Sequence, residues 1–108
     1  MFNLFTSGTN AYKSLNGKEF KEEYLRSPHP VLLDVRTAAE FATGSIANAK
    51  NFDALSVNFK KQLDSLDKSK NYFLFCRSGS RSGQACSLMA EKGFNVYNLK
   101  GGIGAWPK

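Results

Sequence analysis

Apolar and polar positions along the chain follow two alternating rhythms. The runs VLLDV (31–35), NYFLF (71–75) and NVYNL (95–99) are short and nearly continuous in apolar or branched residues, the pattern of strands covered on both faces. Between them the apolar positions recur at helical spacing. In NGKEFKEEYLRS, Phe20 and Tyr24 share one face, Asn16 offers a cap with Glu19 three residues on, and Pro28 and Pro30 end the pattern. TAAEF repeats the cap with Thr37 and Glu40 and predicts a short helix closed by Gly44. ALSVNFKKQLDSL spaces Leu55, Phe59, Leu63 and Leu66 by four, four and three, which predicts one amphipathic helix with lysines on its other side. SGQACSLMAEK predicts a helix closed by Gly93, AYKSL (11–15) and AKNF predict short strands, and GGIGAWPK a glycine turn with one helical turn. Strands alternating with helices imply an α/β domain of three layers: a mostly parallel central sheet of about five strands with helices on both faces. Residues 1–10 are expected to be an N-terminal tail and 11–108 the domain. Sites in such sheets form beyond the carboxyl ends of the strands, which is where Asp34 to Arg36 and Cys76 to Arg81 fall.

Composition narrows the function classes. With 108 residues, 42% of them hydrophobic, the chain suits one domain that buries roughly 65% of its unfolded surface. The net charge of +6 draws anions toward the surface. Its basic residues are mixed with acids, as in KEFKEEY and KKQLDSLDKSK, and form no stripe of the kind that binds nucleic acid. Two cysteines, Cys76 and Cys86, are too few for a disulfide scaffold and fit a reducing compartment. The opening MFNLFTSGTN lacks a basic n-region, and no later stretch is apolar enough to span a membrane. A cytoplasmic location is the resulting expectation.

The candidate chemistry is concentrated in CRSGSRSG, residues 76–83. A loop passing from a buried strand into a helix turns several backbone N–H groups toward one spot, and the helix N-terminus adds positive potential there. A thiolate at Cys76 would be stabilised in that place, with Arg77 and Arg81 adding to the effect. Gly79 and Gly83 let the backbone curl, and Ser78, Ser80 and Ser82 can donate to the anion or cap the helix. A cysteine ending a buried strand can also be inert filler. Burial alone, however, calls for neither the arginines nor the glycines nor the immediate helix start. Cys86, inside the helix beside Leu88 and Met89, reads as core filler rather than a resolving thiol.

Three motifs resemble the rhodanese family. LLDVRTAAEFATGSIANAKNF is similar to the family's signature, in which an Asp-Val-Arg strand end is followed by Glu-Phe, Gly-His-Ile and an Asn. CRSGSRS is similar to its active-site loop, and LKGGIGAW to its closing Gly-Gly and Ala-Trp. The resemblance implies a single-domain sulfurtransferase that carries sulfur as a persulfide on Cys76. It implies an anion cradle of backbone N–H groups over Arg77, Ser78, Gly79, Ser80 and Arg81, with Asp34 and Arg36 at the end of the neighbouring strand. Arg36 and Glu40 are also four apart and can simply pair, the reading favoured here over a substrate role. Trp106 belongs to the closing architecture. Two positions depart from the family. Ser45 replaces the usual histidine, which bears on hydrogen bonding near Gly44 rather than on the nucleophile. Asn48 stands where glycine is common, and asparagine tolerates the left-handed backbone.

A cysteine phosphatase or arsenate reductase also presents a thiolate in a strand-to-helix loop. Such enzymes generally have five residues between the cysteine and the gripping arginine, and only four separate Cys76 from Arg81. A rhodanese-like module that only binds partners is the other alternative, and such modules often lack the cysteine. The expected reaction takes sulfur from a small anionic donor, thiosulfate or a persulfide, and delivers it to a thiol or cyanide, a partner protein's thiol included. The Cys and His spacing makes no metal site, and no organic cofactor is implied. His29, the one histidine, lies between two prolines, a poor place for a general base.

Overall fold

The computed structural model describes residues 11–108; the expected tail, 1–10, lies outside the described residues. The elements run β1 (Lys13–Leu15), α1 (Gly17–Arg26), β2 (Pro30–Asp34), α2 (Ala38–Ala42), β3 (Lys50–Asn51), α3 (Phe59–Asp64), β4 (Asn71–Phe75), α4 (Ser80–Glu91), β5 (Asn95–Leu99) and a closing 3₁₀ turn (Ile103–Ala105). The five strands form one sheet in the order β1-β5-β4-β2-β3, and every pairing is parallel. The α/β expectation of about five parallel strands therefore holds.

Strand alternation divides the core into two layers. Leu33, Val35, Tyr72, Leu74, Cys76 and Val96 face Phe59 and Leu63 of α3 and Ala85, Cys86 and Met89 of α4. Leu32, Phe73, Phe75 and Leu99 face Phe20 of α1, with Trp106 packed alongside. Trp106 meets the rings of Phe20 and Tyr24 edge-on, with centroids 6.2 and 6.1 Å away, so the C-terminus closes the α1 face. Among the described residues no helix is long and apolar enough to cross a membrane.

Both expected capping boxes form. Asn16 accepts from Glu19 N at 2.9 Å, and Thr37 Oγ1 accepts from Glu40 N at 3.2 Å while Glu40 Oε1 accepts from Thr37 N at 3.0 Å. Two helix starts differ from the pattern-based expectation. Helix α3 begins only at Phe59, leaving Leu55 66% exposed. The Asp53 carboxylate takes Leu55 N–H at 2.8 Å and Ser56 Oγ takes Asn58 N–H at 3.1 Å; these local side-chain bonds offer the backbone a turn in place of a helix. Helix α4 begins at Ser80, so the second half of the cysteine loop is already the first helical turn. Gly83 accordingly lies within α4 and does not curl the loop. Its missing side chain leaves room beneath Tyr12, whose hydroxyl would lie 3.4 Å from a Cβ there.

Candidate active site

The register of β2 on β4 sets Asp34 beside Phe75, and Val35 N–H donates to the Phe75 carbonyl at 2.9 Å. The two chain segments leaving these strands therefore run side by side, bringing Asp34, Arg36 and Cys76 together at the carboxyl end of the sheet. His29 precedes β2, at the opposite end, and is exposed.

Cys76 is the residue immediately after β4 and is fully buried. Its Sγ accepts from Gly79 N at 3.1 Å, Ser82 N at 3.4 Å and Ser82 Oγ at 3.3 Å. Burial by itself disfavours a thiolate, but the Ser82 hydroxyl together with the backbone N–H groups of Ser82, Ser78 and Gly79 outweighs it and leaves the thiol below its ordinary value. Ser82 alone gives the sulfur two donors, and it lies one residue beyond the cradle over Arg77 to Arg81 that the resemblance implied. Of the three serines expected to donate to the anion or cap the helix, it is the one whose hydroxyl reaches the sulfur. Cys86 shows the contrast: burial without donors pushes its thiol far up, as suits a packing residue.

The loop reaches its shape through Gly79, which has φ +97° and caps α4, and through a wall behind it. Ile103 N–H donates to the Cys76 carbonyl at 2.8 Å. Gly102 lies so close that a Cβ would fall 2.0 Å from the Arg77 carbonyl oxygen. The closing Gly-Gly motif thus supports the cysteine loop from behind, which its sequence alone does not convey.

The polar residues around the loop pair differently from the simplest expectation. Arg36 does not pair with Glu40. It lies before α2 begins, so the four-residue helical spacing does not apply to it, and its guanidinium turns back onto Asp34, with Nε to Oδ1 at 2.9 Å and Nη2 to Oδ2 at 2.7 Å. This pair is buried, Asp34 at 0% and Arg36 at 6% exposure. Arg36 Nη2 also donates to the Gly44 carbonyl at 2.7 Å, and the Ser45 hydroxyl donates to Asp34 Oδ2 at 2.8 Å. Serine in place of the family's histidine therefore supplies a donor to the buried carboxylate. Asn48 adopts φ +72°, the left-handed backbone anticipated for it.

Glu40 instead grips Arg81 across the site, with Nη1 to Oε1 at 2.7 Å and Nη2 to Oε2 at 3.1 Å. The Arg81 guanidinium, with Thr37 N–H, lowers the Glu40 carboxyl to about 2. A carboxyl depressed on folding contributes stability that is present above its unfolded value and lost as pH falls through its folded value. The melting temperature of the native protein should therefore exceed that of Glu40→Gln at pH 6, and the gap should close between about pH 4.5 and 2. A gap that stays constant to pH 2 would mean the pair does not form. Arg77 and Ser80 are exposed, while Ser78 Oγ accepts from Ser80 N–H at a long 3.5 Å.

This fold and site define a rhodanese-like domain, and the chain matches that family over residues 17–108. The protein belongs to the rhodanese-like family. It is 37% identical over 79 residues to a sulfurtransferase of Allochromatium vinosum, covering 72% of each chain. It is 34% identical over 94 residues to YtwF of Bacillus subtilis, covering 87% of this chain and 89% of that one. The crystal structure of a rhodanese-like domain protein from Staphylococcus aureus superposes with a TM-score of 0.76 at 32% identity, covering 89% of this chain and 92% of that one.

Proposed function

We propose that the protein is a sulfurtransferase that accepts a sulfane sulfur on Cys76 and passes it to a thiol or cyanide. The observation that carries this reading is the convergence of Gly79 N–H, Ser82 N–H and Ser82 O–H on the Cys76 sulfur, which favours the nucleophilic thiolate. With thiosulfate as donor, the thiolate attacks the outer sulfur, the S–S bond breaks, and sulfite leaves with the bonding electron pair. An acceptor thiolate or cyanide then attacks the outer sulfur of the Cys76 persulfide, and the Cys76 thiolate is the leaving group. The donor approaches over the exposed edge made by Arg77, Ser78 and Ser80. Asp34 and Arg36 hold the neighbouring strand end in place, and Arg81 ties α4 to α2 through Glu40.

Of the two loop arginines, Arg77 is the one left for the donor, since Arg81 is paired with Glu40 while the Arg77 side chain is exposed and has no hydrogen-bond partner among the described residues. Arg77→Ala should raise the KM for thiosulfate about tenfold, the effect of one lost charge-assisted contact, and should affect an uncharged donor much less. Equal losses with both donors would make Arg77 a loop-shaping residue. Cys86→Ala should keep at least about half the native turnover, because its buried thiol is held protonated. Turnover that halts after one sulfur transfer in the folded variant would make Cys86 a resolving thiol.

A further inference from the structure

Asn98 is a buried amide at the foot of the cysteine loop, only 4% exposed. It lies in β5 opposite Ser14 of β1, on the sheet face that carries α4. Its Nδ2 donates to Ser14 Oγ at 3.1 Å and to the Gly79 carbonyl at 3.4 Å. Its Oδ1 is buried without any hydrogen-bond partner. The two acceptors fix the orientation of the amide: turned over, it would set its own oxygen against the Gly79 carbonyl. A buried amide with an orphaned oxygen carries a desolvation cost, and an apolar residue of similar size would avoid that cost. What only the amide supplies is donation to Ser14 and to Gly79.

Gly79 is the pivot of the loop. It holds φ +97° with no side-chain cap on α4, its carbonyl also accepts Gly83 N–H at 3.0 Å, and its own N–H reaches Cys76 Sγ at 3.1 Å. Fixing the carbonyl of a glycine fixes the rotation of a residue that has no side chain to restrain it. We infer that Asn98 is a positioning residue for Cys76: by holding the Gly79 carbonyl it keeps the Gly79 N–H aimed at the sulfur. This rests on the reading of Cys76 as the reactive thiol, and its test needs no sulfur donor.

The experiment is alkylation of Cys76 by iodoacetamide as a function of pH, followed on the Cys76 peptide by mass spectrometry so that Cys86 does not contribute. The Arg81 guanidinium on α4 acts on the Cys76 charge, the Cys86 thiol on the same helix stays neutral, and Arg77 in the loop is exposed; all three are unchanged in the variants. Asn98→Leu removes the donors and the orphaned oxygen together, and Asn98→Val does the same with a smaller side chain, so neither variant adds a charge near the sulfur. Each should slow alkylation near neutral pH by about fivefold and move the profile to higher pH, with the same rate at the alkaline plateau. Ser14→Ala, which removes only the other acceptor, should leave the profile in place. Profiles of folded Asn98 variants that coincide with the native one would overturn the inference. If one variant does not fold the other decides, and if neither folds the inference is overturned, because Asn98 would then hold the fold and not the loop. Failure of sulfur transfer in the native protein leaves this test intact and bears only on the proposed function.

Discussion

Cys76→Ser should reduce sulfur transfer from thiosulfate to cyanide by at least about a thousandfold, to the level without protein. Serine keeps nearly the same volume, and its oxygen can accept the N–H groups of Gly79 and Ser82 that now reach the sulfur at 3.1 and 3.4 Å, so the variant should fold. Chemistry is what it lacks. The thiol sits below its ordinary value because its donors outweigh burial, whereas an alcohol in the same place stays protonated and cannot hold a sulfane sulfur reversibly. Thiocyanate formation measures the loss. A folded serine variant with appreciable turnover would move the chemistry to another residue.

Gly102→Ala should be strongly damaging although Gly102 lies outside the loop itself. Gly102 has φ +79° and ψ −167°, a region open almost only to glycine. A Cβ there would lie 2.0 Å from the Arg77 carbonyl oxygen and 2.6 Å from Ser78 N. These are backbone atoms in the loop, so they cannot swing aside as a side chain would. Either the loop moves off its donors or the 99–103 turn withdraws and releases the Ile103 N–H bond to Cys76. Sulfur transfer should fall at least about a hundredfold, the size of effect expected when reacting groups are displaced by about 1 Å. Gly104→Ala is the control, since nothing lies within 4 Å of a Cβ at that position, and it should stay within about twofold of native. Native rates from Gly102→Ala, with a native melting temperature, would show that the wall behind the loop is not rigid.

The parts of this architecture that depend on local rules were legible in the sequence. Asn16 and Thr37 each had their acidic partner three residues on, and both capping boxes formed because the bonds involved span a single turn. The continuous runs of β2 and β4 pointed to buried parallel strands, and the rule that sites lie beyond strand ends brought Asp34 and Cys76 to one place. What escaped were choices made through space. Leu55 had the right spacing for α3, but Asp53 and Ser56 captured the backbone N–H groups first. Arg36 stood four residues from Glu40, but it precedes the start of α2 and pairs with Asp34 instead. The closing Gly-Gly was visible as a motif, but Gly102 and Asn98 touch residues far away in the chain, so no local pattern reveals what they contact.

The mass of the intact protein after reaction with thiosulfate under non-reducing conditions tests the role of Cys76 most directly. The native protein and Cys86→Ala should each gain one sulfur atom, released on adding cyanide, and Cys76→Ser should gain none. A native protein that gains no sulfur, or a Cys76→Ser protein that gains the same sulfur, would contradict the assignment of Cys76 as the sulfur carrier.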